Sequence, residues 1–210
     1  MGSENFQAQR KTNPPLSVVI LAGGHSERIG SDKARLCLNG QTLIQRAVDT
    51  LSALSDDIIC VARAEQDIGV NGAVVIFDLP GATGVLAALR AGLERSRHSW
   101  SLVVACDMSF INLRLVRYMQ TLVEGYDIVV PNLEVGLEPL HALYHQRVLA
   151  ALARAIVDGR KRVVSFYGGV RVCKVNEVDL RYYDPHLRSF FNINTTADLD
   201  QARRWSADVD

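Results

Sequence analysis

The chain has 210 residues, 48% hydrophobic and 22% charged, with 23 Lys and Arg balanced by 23 Asp and Glu. That length allows one sizeable core, and no break in composition marks a second domain. Zero formal net charge with scattered cations excludes the footprint of a nucleic-acid binder or a membrane-surface patch, and no apolar run approaches the roughly 18 residues of a spanning helix.

The expected ligand is therefore small. The N-terminus lacks the apolar region of a signal peptide, and the expected compartment is the cytoplasm. Met1 to Pro15 is polar, carries two prolines and shows no periodicity, so it reads as a mobile tail ahead of one domain over 16–210. Leu16 to Leu21 is a continuous apolar run entering Ala22-Gly23-Gly24, the pattern of a buried parallel strand that ends in a turn. A helix is predicted over Thr42 to Leu54, with Leu43, Ile44, Ala47, Val48 and Leu51 on one face.

Short β-branched runs predict strands at Ile58 to Val61, Val74 to Phe77, Leu102 to Ala105 and Ile128 to Val130. Helices are predicted at Gly84 to Arg95 and Leu113 to Val123. Ala142 to Tyr144 reads as a strand leading into a helix over Val148 to Val157, and Val170 to Val175 as a late strand. Thr195-Thr196-Ala197-Asp198 has capping-box spacing for a last helix through Arg204. The alternation predicts a single-domain, Rossmann-like α/β fold, a mostly parallel sheet with helices on both faces. Cys37, Cys60, Cys106 and Cys173 are widely spaced, and three of them sit in apolar runs, where a buried thiol is expected.

The segment Leu21-Ala22-Gly23-Gly24-His25-Ser26-Glu27-Arg28-Ile29-Gly30-Ser31-Asp32-Lys33 places paired glycines directly after the first strand. Without Cβ atoms, backbone N–H groups can approach phosphate oxygens, and Arg28 and Lys33 can neutralise charge on departing pyrophosphate. The spacing fits neither G-x-x-x-x-G-K-[ST] nor G-x-G-x-x-G, so a P-loop NTPase and a dinucleotide dehydrogenase both lose support. An ordinary strand-to-helix turn would explain the glycine pair alone but not the whole string. Asp78 and Asp107 follow strands and should project at the carboxyl edge of the sheet, where open α/β folds bind ligands. Asp107 is read as a Mg²⁺ ligand. Asp78 stays open between a nucleotide contact and a turn cap.

Leu-Ala-Gly-Gly with Arg28, Gly30, Asp32 and Lys33, then Gly84 through Leu93, Cys106-Asp107-Met108 and Phe191-Asn192-Ile193-Asn194-Thr195 together resemble the successive motifs of MobA-type molybdenum cofactor guanylyltransferases. Glu138-Pro139-Leu140-His141-Ala142-Leu143 and Gly159-Arg160-Lys161-Arg162-Val163 resemble later stretches of that family. The resemblance implies a nucleotide-diphospho-sugar transferase-like fold and transfer of GMP from GTP to molybdopterin. It implies that Leu21, Ala22 and Gly23 meet GTP through their backbone. Lys33 would bind phosphates, Asp78 the nucleotide, and Asp107 both nucleotide and Mg²⁺.

Gly24 is taken to favour GTP over CTP, because related cytidylyltransferases tend to carry alanine in Leu-Ala-Ala-Gly. Partner proteins implied are other molybdenum cofactor biosynthesis proteins and apo-molybdoenzymes. The chain departs from the family at Val61, where Asn is common, and at Val85 and Ser109, where Pro is frequent. Arg162, Asn192 and Asn194 are candidates for holding the molybdopterin acceptor. A solvated helix end explains the basic cluster as well, and local capping explains the asparagines as well. His141 is given no catalytic role. The competing functions are a cytidylyl- or sugar-phosphate nucleotidyltransferase and a non-catalytic nucleotide-binding regulatory domain.

Overall fold

The structure is a computed structural model that describes residues 13–23, 25–26, 31–64, 66–77 and 84–207, with the backbone alone at 25–26 and 31–33. In chain order, β1 (Leu16–Leu21) is followed by β2 (His25–Ser26), β3 (Ser31–Asp32), a 3-10 turn at Lys33–Arg35, β4 (Cys37–Leu38) and β5 (Gln41–Thr42). Next come α1 (Leu43–Leu51), β6 (Ile58–Ala62), β7 (Val74–Phe77), α2 (Val85–Arg95), β8 (Trp100–Ala105) and α3 (Leu113–Thr121). The remainder comprises β9 (Ile128–Leu133), β10 (Gly136–Leu137), β11 (His141–His145), α4 (Leu149–Val157), a 3-10 segment Val163–Gly169, β12 (Val172–Asn176), α5 (Glu177–Tyr183) and α6 (Thr196–Ala207).

β1 is buried along its whole length, which is why it carries no polar alternation. Leu16, Val18 and Ile20 face one apolar layer, while Val19 and Leu21 face the other. Each such side chain, fully buried, contributes about 1.5–3 kcal/mol. β1 pairs in parallel with β6 on one side and β8 on the other, and β6 pairs in parallel with β7. Beyond β8 the sheet continues β11, β9, β10, with β12 also paired to β9. β11 is antiparallel to both β8 and β9, and β10 is antiparallel to β9. The sheet is thus mostly parallel, as the alternation predicts, with β11 and β10 running against the rest.

The helices cover both faces. α1, α3 and α5 bury Ile44, Leu115 and Leu180 against one side. α2, α4 and the Val163–Gly169 segment bury Leu89, Leu152 and Phe166 against the other. α6 adds a smaller cluster in which Leu199 and Ala202 meet Ile193, Leu38 and Leu43. Capping sets the helix starts. The Thr42 hydroxyl accepts the Gln45 N–H (3.3 Å), and Asn112 Oδ1 accepts from Arg114 and Leu115. The predicted capping box forms: Asp198 N–H donates to Thr195 Oγ1 (3.1 Å) while the Asp198 carboxylate accepts the Thr195 N–H (2.8 Å).

The amino edge of the sheet is fastened by two buried acids. Asp57, just before β6, accepts from the Ser17 hydroxyl, the Arg97 N–H and the Arg97 guanidinium. Burial pushes its pKa up, but these donors outweigh burial and leave it lowered. Asp127, just before β9, accepts from Arg171 and Arg147. Those hydrogen bonds, Arg171 foremost, hold its carboxyl well below the usual range despite burial.

Of the expected buried thiols, Cys60 and Cys106 are buried, Cys173 is half-buried and Cys37 is exposed; none of the four forms a disulfide. Burial pushes the Cys60 thiol up to about 12. The expected tail through residue 12 lies outside the described residues. Asn13 and Pro14, at its end, lie against α3, where Asn13 donates to the Arg117 carbonyl and the Pro14 carbonyl accepts from Gln120.

α2 approaches β1 closely because Gly92 has no side chain; an added Cβ would collide with Val19 and press on Val61. Gly92→Ala gains up to about 1 kcal/mol of helix propensity, but overpacking costs about 1–3 kcal/mol or more. Its urea unfolding midpoint is expected below wild type, with a net loss of about 1–2 kcal/mol. An unchanged or higher midpoint would show that the layer yields without strain.

Candidate functional site

The chain leaves β1 for β6 and β7 on one side, then returns through β8 on the other side of β1. Between β1 and β8 the strand order reverses, and in open α/β sheets ligands bind outside the carboxyl ends at such a point. Leu21 and Asp107 stand there. The ladder runs on past the strands: the Cys106 N–H donates to the Leu21 carbonyl (3.1 Å) and the Ala22 N–H to the Val61 carbonyl (2.8 Å). The start of the glycine loop and the Cys106-Asp107 turn are thereby fixed side by side. Asp107 is buried, 7% exposed.

A C-terminal strap closes one flank of Asp107. Met108 and Asn192 form an antiparallel bridge, and the Ile193 N–H donates to the Asp107 carbonyl (3.2 Å). This brings Asn192 and Asn194 to the same edge. Asn192 Nδ2 donates to the Phe190 carbonyl (3.3 Å) and the Asn194 N–H to the Asp198 carboxylate (3.0 Å), so local capping engages both residues. Arg162 arrives from the opposite face, in the turn after α4. Arg160 is tied locally to Asp158 and the Ser165 carbonyl, whereas Lys161 and Arg162 are exposed and form no ion pair among the described residues.

α2 begins at this edge as well. Gly84 caps it with φ 104°, a left-handed backbone that favours glycine, and the helix turns its partly positive N-terminal end toward the site. Lys33 opens the 3-10 turn Lys33–Arg35, and its backbone is all that is described. Gly24, Arg28 and Asp78 lie outside the described residues. Val61 is core, packed toward Gly92 of α2, and Val85 is the first residue of α2. Ser109 is buried and its hydroxyl has no hydrogen-bond partner among the described residues.

In Leu-Ala-Ala-Gly the differing alanine falls on position 23 when set against Leu21-Ala22-Gly23-Gly24. The residue that the resemblance contrasts with alanine is therefore Gly23 rather than Gly24. There a Cβ would come 3.3 Å from Arg63 Cγ.

Hydrogen bonding also singles out a residue that the sequence reading missed. Gln66 accepts the Arg63 N–H at Oε1 (2.9 Å) and donates from Nε2 to the Ala22 carbonyl (3.2 Å), tying the glycine loop to the end of β6. Its only signal in sequence was a polar residue soon after a strand.

The fold and this edge together define a nucleotidyltransferase with an α/β nucleotide-binding sheet. Residues 18–171 match the MobA-like NTP transferase domain family, and the chain belongs to that family. It is 37% identical to the molybdenum cofactor guanylyltransferase of Desulfosudis oleivorans over 88% of this chain and 92% of that one. It is 32% identical to that of Syntrophotalea carbinolica over 90% of each.

Among solved structures, molybdopterin-guanine dinucleotide biosynthesis protein A from Archaeoglobus fulgidus superposes with a TM-score of 0.81 at 29% identity, covering 92% of this chain and all of that one. The 2-C-methyl-D-erythritol 4-phosphate cytidylyltransferase of Thermus thermophilus shares the fold, with a TM-score of 0.68 at 21% identity over 92% of this chain and 99% of that one. No helix among the described residues is long and apolar enough to cross a membrane.

His141 lies at the start of β11, fully buried, with its ring edge-on to Phe190 at 5.0 Å. Neither ring nitrogen has a hydrogen-bond partner among the described residues. Burial lowers its pKa to about 4, against the opposing pull of Asp184. A His kept neutral in the fold and protonated in the unfolded chain stabilises fully above about pH 6.5. That contribution fades as pH falls toward 4, by on the order of 3 kcal/mol. Denaturant unfolding of wild type at pH 7 and 4.5 should show this loss, and His141→Phe should show a clearly smaller one. Identical pH dependence in the two proteins would place the acid sensitivity elsewhere.

Proposed function

We propose that the chain is a Mg²⁺-dependent guanylyltransferase of the cytoplasm, transferring GMP from GTP to molybdopterin with release of pyrophosphate. One observation carries this reading: the backbone of Leu21 to Gly23 and the carboxylate-bearing Asp107 turn are locked together at the strand-order reversal, in a chain of the MobA-like family. The guanylyltransferase relatives align over most of their length.

The residues present fit Mg²⁺. This ion is commonly held by one or two carboxylates plus substrate phosphates, and Asp107 is a hard carboxylate beside the glycine loop. The Ser109 hydroxyl, two residues on and without a protein partner among the described residues, is suited to a metal-bound water. When bound, Mg²⁺ supplies Lewis-acid neutralisation of the triphosphate charge.

The chain's own residues supply the rest. Leu21, Ala22, Gly23 and Gly24 offer backbone to GTP, with Asp78 as a further nucleotide contact. Lys33 and Arg28 offset charge growing on pyrophosphate, and the α2 N-terminus adds its dipole. Asn192 and Asn194, on the strap beside Asp107, together with Arg162, in the turn after α4, hold the acceptor phosphate in line with the α-phosphorus. That phosphate is largely deprotonated near neutral pH, its second pKa being about 6. No strong general base is needed, so positioning and charge dominate.

Ligand binding to the native state raises the melting temperature. With MgCl₂ present, GTP should raise it well above equal CTP. Equal shifts would overturn guanine selectivity and return the cytidylyl reading.

Asp107→Asn keeps the size of the side chain and removes its charge. Its melting curve without ligand should stay near wild type while guanylyl transfer falls by roughly 10² or more. Near-normal turnover across a Mg²⁺ titration would remove Asp107 from the metal site.

A further inference from the structure

Arg63 follows β6 directly and stands half-buried beside the glycine loop. Its backbone is held on both sides: its N–H donates to Gln66 Oε1, and its carbonyl accepts the Gln66 N–H (3.1 Å). Its side chain lies across Gly23, whose missing Cβ leaves room for it; a Cβ there would sit 3.3 Å from Arg63 Cγ and 4.0 Å from Cδ. Arg63 Nε is buried and has no hydrogen-bond partner among the described residues. Buried donors in native proteins are nearly always satisfied, and one left open on a charged group bears the full cost of lost hydration. An acceptor brought by a ligand removes that cost. Two residues earlier, Val61 offers no polar group and turns into the α2 layer, so Arg63 is the polar side chain that the end of β6 presents to the loop.

We infer that Arg63 reads the base of the bound nucleotide, its guanidinium donating to O6 and N7 of guanine. The assignment rests on the guanylyltransferase reading above. Guanine offers two acceptors on that edge, matching the planar fork of Arg, whereas adenine places an N6 amino donor where guanine has O6. Arg63 then binds guanine and rejects adenine with the same two donors. The Gln66 hydrogen bond to Ala22 keeps this reader in register with the loop that receives the phosphates.

Calorimetric titration of GTP, ATP and CTP into wild type, Arg63→Ala and Arg63→Lys, all with MgCl₂, tests the assignment. Arg63→Ala should weaken GTP roughly tenfold and ATP by less than about twofold, shrinking the preference between them by the same factor. Arg63→Lys keeps the charge and much of the aliphatic stem but not the fork, and should lose most of that preference too. Without nucleotide, neither variant should melt below wild type, since each removes or frees an unsatisfied donor, so lost affinity is not lost folding. Equal weakening of GTP and ATP would show a phosphate contact or a prop for the loop and overturn base reading, as would no change in either variant. If wild type itself fails to prefer GTP to ATP and CTP, the guanylyltransferase reading falls, and this assignment falls with it.

Discussion

Burial of β1 on both faces is the constraint from which the rest of the molecule follows. A strand with no solvent face must be flanked by paired strands and covered by two helical layers, and β6, β8, α1 and α2 meet those demands. Parallel pairing forces each connection to cross back over the sheet, which delivers all the turns at the carboxyl ends to one edge. The glycine loop, the end of β6, the start of α2 and Asp107 share an edge for this reason. Hydrogen bonds from Cys106 to Leu21 and from Ala22 to Val61 extend the same order into the turns, so core and site share one ladder of backbone hydrogen bonds.

The two edges use charge differently. At the amino edge, Asp57 and Asp127 are saturated by arginines and by backbone N–H groups, and their lowered pKa values record it. Those groups fasten loops. At the carboxyl edge the described polar groups include an orphan Arg63 Nε and an orphan Ser109 hydroxyl, an arrangement that favours a polar guest. Position in sequence does not separate the two edges, because Asp57, Asp107 and Asp127 all adjoin strands.

Much of the fold was legible. Leu16–Leu21 and Val74–Phe77 form strands to the residue, because short apolar runs bounded by turn residues leave little choice of register. The start of α6 was readable from its Thr195 cap, and α1 from the apolar face of Leu43, Ile44, Ala47, Val48 and Leu51, although it ends at Leu51 rather than Leu54. Other features were encoded differently. Asn39-Gly40, with both φ positive, makes the β4–β5 hairpin; it is a strong turn signal, overshadowed here by the longer periodic helix after it. The antiparallel course of β11 follows from a connection after β9 too short for a parallel crossover. α5 escaped because Val178 and Tyr182 are exposed and only Leu180 is fully buried, so no apolar stripe marks it.

At the site, sequence order brought together Leu21, Ala22, Gly23, Asp107 and Asn192, as strand-end logic expects. Arg63 and Gln66 were not legible, since their roles depend on which side chain crosses which glycine. That is a fact of three dimensions.

The strap at Met108 and Asn192 also bears on how the protein is made. The layers around β1, β6 and β8 can close while the C-terminal stretch is still inside the ribosome, but the edge beside Asp107 cannot be completed until Asn192 and Ile193 have emerged. Synthesis from the N-terminus therefore supplies the strands β1, β6 and β8 first and the strap last. A nascent chain therefore lacks the flank that Asn192 and Ile193 give to Asp107 until the strap has emerged.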